Sequence, residues 1–275
     1  MLSTRNFFRN PSAKVGMTIV VFLLLVTFLG PFFITSPFEQ NVANKLQGPS
    51  WEHLFGTDDF GRDLLARMVV GARYSLSAGI ISVVLGLSGG LLLGSLAGYY
   101  GGYLDKTIMM LCDILLAFPS VLLALAIVII MEPGIYTPMI AVGISSIPIF
   151  ARLVRAQFMY LRESSFIEAT RSLGAGDLRI VFRHLLPNSI GPIIIQATLR
   201  IGSSILTAAT LSFLGLGAQP PTPEWGAILS SARRYLWTGV HMAIIPGMAI
   251  TITVVAVNLM GDALRDFFDP RTRGN

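Results

Sequence analysis

Side chains able to do covalent or metal chemistry are few in this sequence, and they are scattered. The three histidines, His53, His184 and His241, stand far apart, without metal-ligand spacing. Neither H-E-x-x-H nor G-x-S-x-G occurs. The stretch "GGYLDKT" has the outline of a phosphate loop, but Asp105 precedes Lys106 where that loop requires glycine. The single cysteine, Cys112, excludes an intramolecular disulfide and a Cys-rich metal site, and its apolar setting reads as a small buried hydrophobe. The sequence therefore predicts no catalytic residue, no metal site and no ATP site of its own. Two kinds of polar chemistry remain. One is Arg200, inside an apolar run, where a guanidinium needs a partner. That partner is a carboxylate passing through the bundle, Asp113, backbone carbonyls or an acid on another subunit. The other is a set of short polar stretches between apolar runs.

The elements that must position these groups follow from composition. Of 275 residues, 53% are hydrophobic and only 13% charged, against about a quarter charged in soluble domains. The net charge of +5 is not a nucleic-acid signal, because the charges cluster between apolar runs and form no basic stripe with interleaved aromatics. Six apolar segments, 15–34, 76–98, 108–130, 137–156, 189–212 and 241–261, each approach the ~20 residues that cross a bilayer as a helix. The expectation is an all-α polytopic membrane protein with six transmembrane helices. The fourth span contains Pro148, which a membrane helix tolerates when neighbours satisfy the freed backbone groups. The first follows Arg5, Arg9 and Lys14, but it is longer than a signal-peptide core and "PFFITSP" offers no small-x-small cleavage site, so it reads as an uncleaved anchor. With both termini cytoplasmic, thirteen of the 20 Lys and Arg residues fall inside and six outside, with Arg200 within a span. The positive-inside rule favours this orientation.

Between spans four and five lies "SSFIEATRSLGAGD" (164–177). Ser165 as N-cap and Glu168 three residues later have the spacing of a capping box, and Gly174 suits a left-handed C′ position. Phe166, Ala169, Thr170 and Leu173 fall on one face of the two-turn helix, and Asp177 can cap a second short helix. Gly86, Gly90, Gly94, Gly98 and Gly102 recur every fourth residue and predict a ridge that another helix approaches closely. In "PPTPEWGAILSSARRYLW", Thr222 as N-cap and Pro223 at the first helical position start an amphipathic helix with Trp225, Leu229, Ala232 and Leu236 on one face. Trp225 reads there as an interfacial anchor. Asp58, Asp59, Arg62 and Asp63 either meet a partner or lock the loop before the second span.

These motifs carry a resemblance. "EATRSLGAGDLRIVFRHLLP" is similar to the EAA loop of binding-protein-dependent ABC importer permeases, with Glu168, Ala169, Gly174, Leu186 and Pro187 in register. Thr170 replaces the second Ala and His184 the usual Ile. "FGTDDFGRDLLARMVVGARYSL", "LSFLGLGAQPPTPEWG" and "NLMGDALRDFFDPR" resemble the dipeptide, oligopeptide and nickel branch, specifically its shorter permease partner. Ala66 and Phe268 stand where that branch often has Ser and Leu.

The resemblance implies a type I ABC importer permease fold in a bacterial inner membrane. It assigns Ser165, Glu168, Ala169, Thr170 and Gly174 to a helix that couples to a cytoplasmic ATPase. Arg200, by its own position within a span, is the candidate for the translocation path, and the resemblance gives Glu224, Trp225, Arg233 and Arg234 to the docking of an extracytoplasmic binding protein. ATP and magnesium belong on one or two kinds of partner ATPase, and a second homologous permease completes the pore. The implied substrate is a di- or oligopeptide, with nickel or a metal chelate as the alternative. An ion-coupled secondary transporter is disfavoured by the lack of an evident inverted repeat and of acidic residues deep in several spans. The implied organisation is a cytoplasmic tail (1–14), an anchor (15–34), an extracytoplasmic segment (35–75), a core (76–261) containing the coupling loop 157–188, and a cytoplasmic tail (262–275).

Overall fold

A computed structural model describes residues 11–268; the readings that fall on 1–10 and 269–275 lie outside the described residues. Ten α-helices are present among the described residues: α1 (Pro11–Leu29), α2 (Leu64–Tyr100), α3 (Gly102–Leu116), α4 (Ser120–Ile130), α5 (Thr137–Arg162), α6 (Ser165–Ser172), α7 (Asp177–Ile180), α8 (Leu186–Phe213), α9 (Trp225–Ala232) and α10 (His241–Phe268). A π-helical turn, Val181–Leu185, joins α7 to α8. Five helical segments are long and apolar enough to cross a membrane, and the count is six when α3 and α4, bent by 92° at a short break, are taken together as one span.

That bend corrects the expectation of one continuous helix over 108–130. Pro119 has no N–H to donate and disfavours helical backbone at the residue before it, so α3 ends at Leu116 and α4 restarts at Ser120. Pro148, by contrast, is buried inside α5, which runs unbroken. At ~1.5 Å per residue, the 37 residues of α2 span about 55 Å, well beyond the ~30 Å hydrocarbon core. The helix therefore starts before the apolar segment, at Asp63, whose carboxylate accepts from the Ala66 N–H at 2.8 Å.

The tightest packing is α2 against α5, and the glycines explain it. A Cβ at Gly86 would sit 2.8 Å from Ser146 Cβ, one at Gly94 2.8 Å from Val154 Cβ, and one at Gly98 2.8 Å from the Arg155 carbonyl. Gly90 is tighter still, 2.2 Å from Phe150 Cβ. Gly143 reciprocates from α5, 2.8 Å from Leu85 Cβ. The ridge thus serves packing within this chain, where close backbone approach supplies the attraction that lipid-solvated apolar side chains cannot. Gly102 is not part of it: it lies beyond the end of α2 at φ +60, with open space around it. The anchor α1 docks on α10 in the same way, Gly16 meeting the Ala256 carbonyl and Met260 backbone. In consequence the α2–α5 pair, α8 and the α1–α10 pair form one bundle, with short polar elements at each end.

Candidate functional site

At one end of the bundle, α6 and α7 sit on the ends of α2, α5 and α8. The buried residue of α6 is Ile167, 1% exposed, packed with Tyr99, Val154, Phe158, Ile180, Leu185 and Ile193. The face predicted from spacing points the other way: Phe166 is 40% and Leu173 88% exposed, and Ala169 is exposed too. Hydrophobic spacing identified an apolar face, but not which side the neighbouring helices could reach. The capping box does not form either. The N-cap is Ser164, not Ser165, and its hydroxyl donates back to the Leu161 carbonyl, closing the end of α5 instead. Ser165 and Glu168 are exposed in the first turn. Thr170 donates to the Phe166 carbonyl at 2.7 Å.

The stop signal forms as read. Gly174 has φ +81 and its N–H donates to the Arg171 carbonyl at 2.9 Å, while the Ala175 N–H donates to the Thr170 carbonyl at 3.3 Å. This pair of bonds is a Schellman motif. Asp177 occupies the first helical position of α7, where its carboxylate accepts from Tyr99 Oη at 2.6 Å; Arg162 donates to the Tyr99 carbonyl at 2.8 Å. The connector is therefore pinned by one apolar plug and a chain of polar bonds. Leu178 and Phe182, 72% and 65% exposed, extend the outward apolar surface of Phe166 and Leu173.

At the opposite end, α9 lies within the body of the protein. Glu224, not Thr222, is its N-cap: the carboxylate accepts from the Gly226 N–H at 3.0 Å, the Ala227 N–H at 2.9 Å and Ser75 Oγ at 3.1 Å. Pro223 accordingly lies outside the helix. Burial pushes the Glu224 carboxyl above its ordinary range, while those donors pull it down. Trp225 is 2% exposed and donates from its indole to the Met68 carbonyl at 3.0 Å. Trp225 is thus a core anchor rather than an interfacial one; the exposed indole of this region is Trp237. Glu224 and Trp225, both buried, are withdrawn from any docking surface. Arg233 and Arg234 are exposed and remain available, Arg233 over the Phe213 ring and Arg234 3.7 Å from Asp59.

The acidic loop before α2 locks rather than reaches outward. Asp58 accepts from Arg62 Nε at 2.6 Å and lies 3.3 Å from Arg67 Nε, all three side chains being buried. Burial, and then the adjacent Asp58 charge, raise the Asp59 carboxyl above its usual range. His241 on α10 contacts the Thr57 carbonyl at 3.0 Å and Arg67 donates to the Pro221 carbonyl at 3.3 Å, so this loop, α10 and the segment before α9 are held together.

Arg200 lies near the midpoint of α8, in a recess shared with Ser145 and Ser146 of α5 and Ser203, Ser204 and Thr207 of α8. Asp113 is not its partner, because it pairs with Arg152 at 2.7 Å. Arg155 takes Asp105 through contacts of 2.5 and 2.7 Å. Sequence spacing could not rank these pairings, since each depends on how the broken third span lies against α5.

With this geometry in hand, comparison with known proteins is specific. The family described as "Binding-protein-dependent transport system inner membrane component" matches residues 90–274, and the "N-terminal TM domain of oligopeptide transport permease C" matches residues 2–49. A dipeptide transport system permease protein, DppC, of Alkalihalophilus pseudofirmus is 48% identical over 266 residues, covering 96% of this chain and 88% of that protein. A glutathione transport system permease protein, GsiD, of Pectobacterium atrosepticum is 48% identical over 273 residues, covering 98% and 90%. Among solved structures, an inward-facing conformation of the MetNI methionine ABC transporter superposes with a TM-score of 0.59 at 20% identity, over 73% of this chain and 96% of that one. At that identity the likeness speaks to fold. The fold, the matched segments and these relatives together establish that the chain belongs to the inner-membrane permeases of binding-protein-dependent ABC importers, in their dipeptide, oligopeptide and nickel branch.

Proposed function

We propose that this chain is one half of the transmembrane pore of an ATP-driven importer of short peptides, and that α6 is the element through which an ATPase moves it. The observation that carries the coupling role is the way α6 is held. Ile167 is sunk into the cluster that joins α2, α5 and α8, whereas Phe166, Glu168 and Leu173 face outward. A partner that grips the outer face therefore pulls on three spans at once, as a rigid body. The charge bias of the sequence supports a cytoplasmic location for this end and for both termini. ATP and magnesium then reside on the ATPase subunits, of one or two kinds. A second homologous permease supplies the other half of the path, which includes Arg200. The extracytoplasmic binding protein delivers substrate at the α9 end, where Arg233 and Arg234 are exposed.

The dipeptide and glutathione permeases among the relatives favour a peptide over nickel or a metal chelate. The decisive experiment uses the complete importer in proteoliposomes. Glu168→Lys and Gly174→Asp are expected to abolish uptake and the ATPase stimulation that loaded binding protein causes, while all subunits still co-purify. Wild-type uptake in both variants would refute the coupling role, and ion-driven uptake by this chain alone would refute the ABC mechanism.

A further inference from the structure

We propose that Arg200 and the hydroxyls around it form a carboxylate-binding subsite that receives the free C-terminal carboxyl group of a peptide during its passage. The inference rests on the peptide-importer reading and adds a chemical requirement to it.

The first argument is the state of the guanidinium. Arg200 Nε is shielded from solvent and has no hydrogen-bond acceptor among the described residues. Arg67 Nε also lacks a hydrogen bond, but it lies 3.3 Å from the Asp58 carboxylate; no ion pair among the described residues includes Arg200. The two acids on α3 are already engaged, Asp113 by Arg152 and Asp105 by Arg155. A guanidinium at mid-span without a counter-charge is costly, so it is retained where an anion comes to it. Its planar fork of donors matches a carboxylate.

The second argument is the hydroxyl lining, from Ser145 and Ser146 on α5 and Ser203 and Thr207 on α8 itself. Ser145 and Ser146 donate to the Val142 carbonyl at 2.9 and 2.7 Å, Ser203 to the Arg200 carbonyl at 3.0 Å, and Thr207 to the Ser203 carbonyl at 2.8 Å. Each of these hydroxyls is satisfied by its own helix. A turn about χ1 redirects the donor to a carboxylate oxygen, and in either rotamer the hydroxyl oxygen can accept a peptide N–H. Ser120, the first residue after the Pro119 break, also lines the recess, so the site sits where the bent third span passes α5 and α8. Its volume, about 50 Å³, is enough for one small polar group. A carboxylate is such a group, and it is the end group common to peptides with a free C-terminus.

The same guanidinium would also suit a carboxylate side chain on the partner permease, and the test separates the two. The complete importer is reconstituted, and uptake of Ala-Ala and of Ala-Ala amide is measured, each at a concentration that saturates the binding protein. The wild type should favour the free acid by at least about tenfold. Arg200→Gln should reduce that preference to within about twofold by slowing the acid, with Arg200→Lys intermediate and both permeases still co-purifying. Equal wild-type uptake of the two peptides, or a preference that survives Arg200→Gln, overturns the subsite. So does loss of the partner permease from the Arg200→Gln complex, which assigns the carboxylate to that subunit. Failure of the wild type to import either peptide instead removes the peptide reading itself, and this inference with it.

Discussion

The helices α6 and α9 are both eight residues long, both join spans, and each lies beside an acidic residue near its start, yet the bundle treats them in opposite ways. In α9 the residues Trp225, Gly226, Ile228 and Ala232 are all buried, and the acid is a buried cap. In α6 only Ile167 is buried, and the acid is exposed. One helix closes its end of the bundle; the other is presented outward on a single plug. A short helix between spans is therefore not a type of site. Its role depends on how much of its surface the rest of the chain has already taken.

Substitutions that trade stability against coupling test this contrast. The largest stability loss is expected for Trp225→Ala, which removes a buried indole and its bond to Met68, at about 3–5 kcal/mol. It should appear as a lower unfolding temperature or loss of the assembled complex; an unchanged melt would mean that α9 is not a structural plug. Next comes Ile167→Ala, at about 2–5 kcal/mol of local anchoring, which should increase amide exchange in α6 and α7. Its neighbour Phe166→Ala should alter the melt by less than ~0.5 kcal/mol and yet impair ATPase stimulation, because that ring faces outward. Equal effects of the two on stability would dissolve the distinction. Gly174→Ala should cost about 1–2 kcal/mol through its left-handed backbone alone, since no atom lies within 4 Å of the added methyl group.

The smallest effect concerns Glu224. Burial raises its folded-state pKa, so the neutral form is favoured on folding. That contribution is fully present below the unfolded value near 4.5 and is lost as pH rises through the folded value. Glu224→Gln, always neutral, should therefore gain relative to the wild type as melts are repeated at increasing pH from 4.5 upward. A difference that stays constant with pH would show that Glu224 titrates alike in the folded protein and the unfolded chain.

Much of the architecture was legible because it depends on local or summed properties. Bilayer thickness turns run lengths into crossings, and a left-handed turn demands glycine, so Gly174 was read correctly. The glycine spacing from Gly86 to Gly98 gave a packing ridge, although Gly102 was wrongly included because spacing does not show where a helix ends. Local spacing does not single out Ile167, because Phe166 and Leu173 give the stronger apolar face in isolation. Trp225 departs from the interfacial anchor that its sequence suggests, because a Trp at a helix start beside prolines has that composition whether or not another helix covers it. The clue lay in Gly226, where an added Cβ would come 2.8 Å from Ala209 Cα, the mark of a helix pressed against another.

By itself the sequence determined that this chain spans a membrane about six times, which end carries the excess positive charge, and that a glycine-terminated helix lies between spans four and five. Motif order and spacing pointed to the permease family. Only the tertiary structure decided that α9 is core and α6 is surface, that Asp113 belongs to Arg152, and that Arg200 faces hydroxyls without an acid. The reason is physical. Crossing a bilayer and ending a helix are set by residues close together in the chain. Burial and ion pairing depend on which distant helices arrive alongside, and here a break at Pro119 and a groove of glycines settle that arrangement.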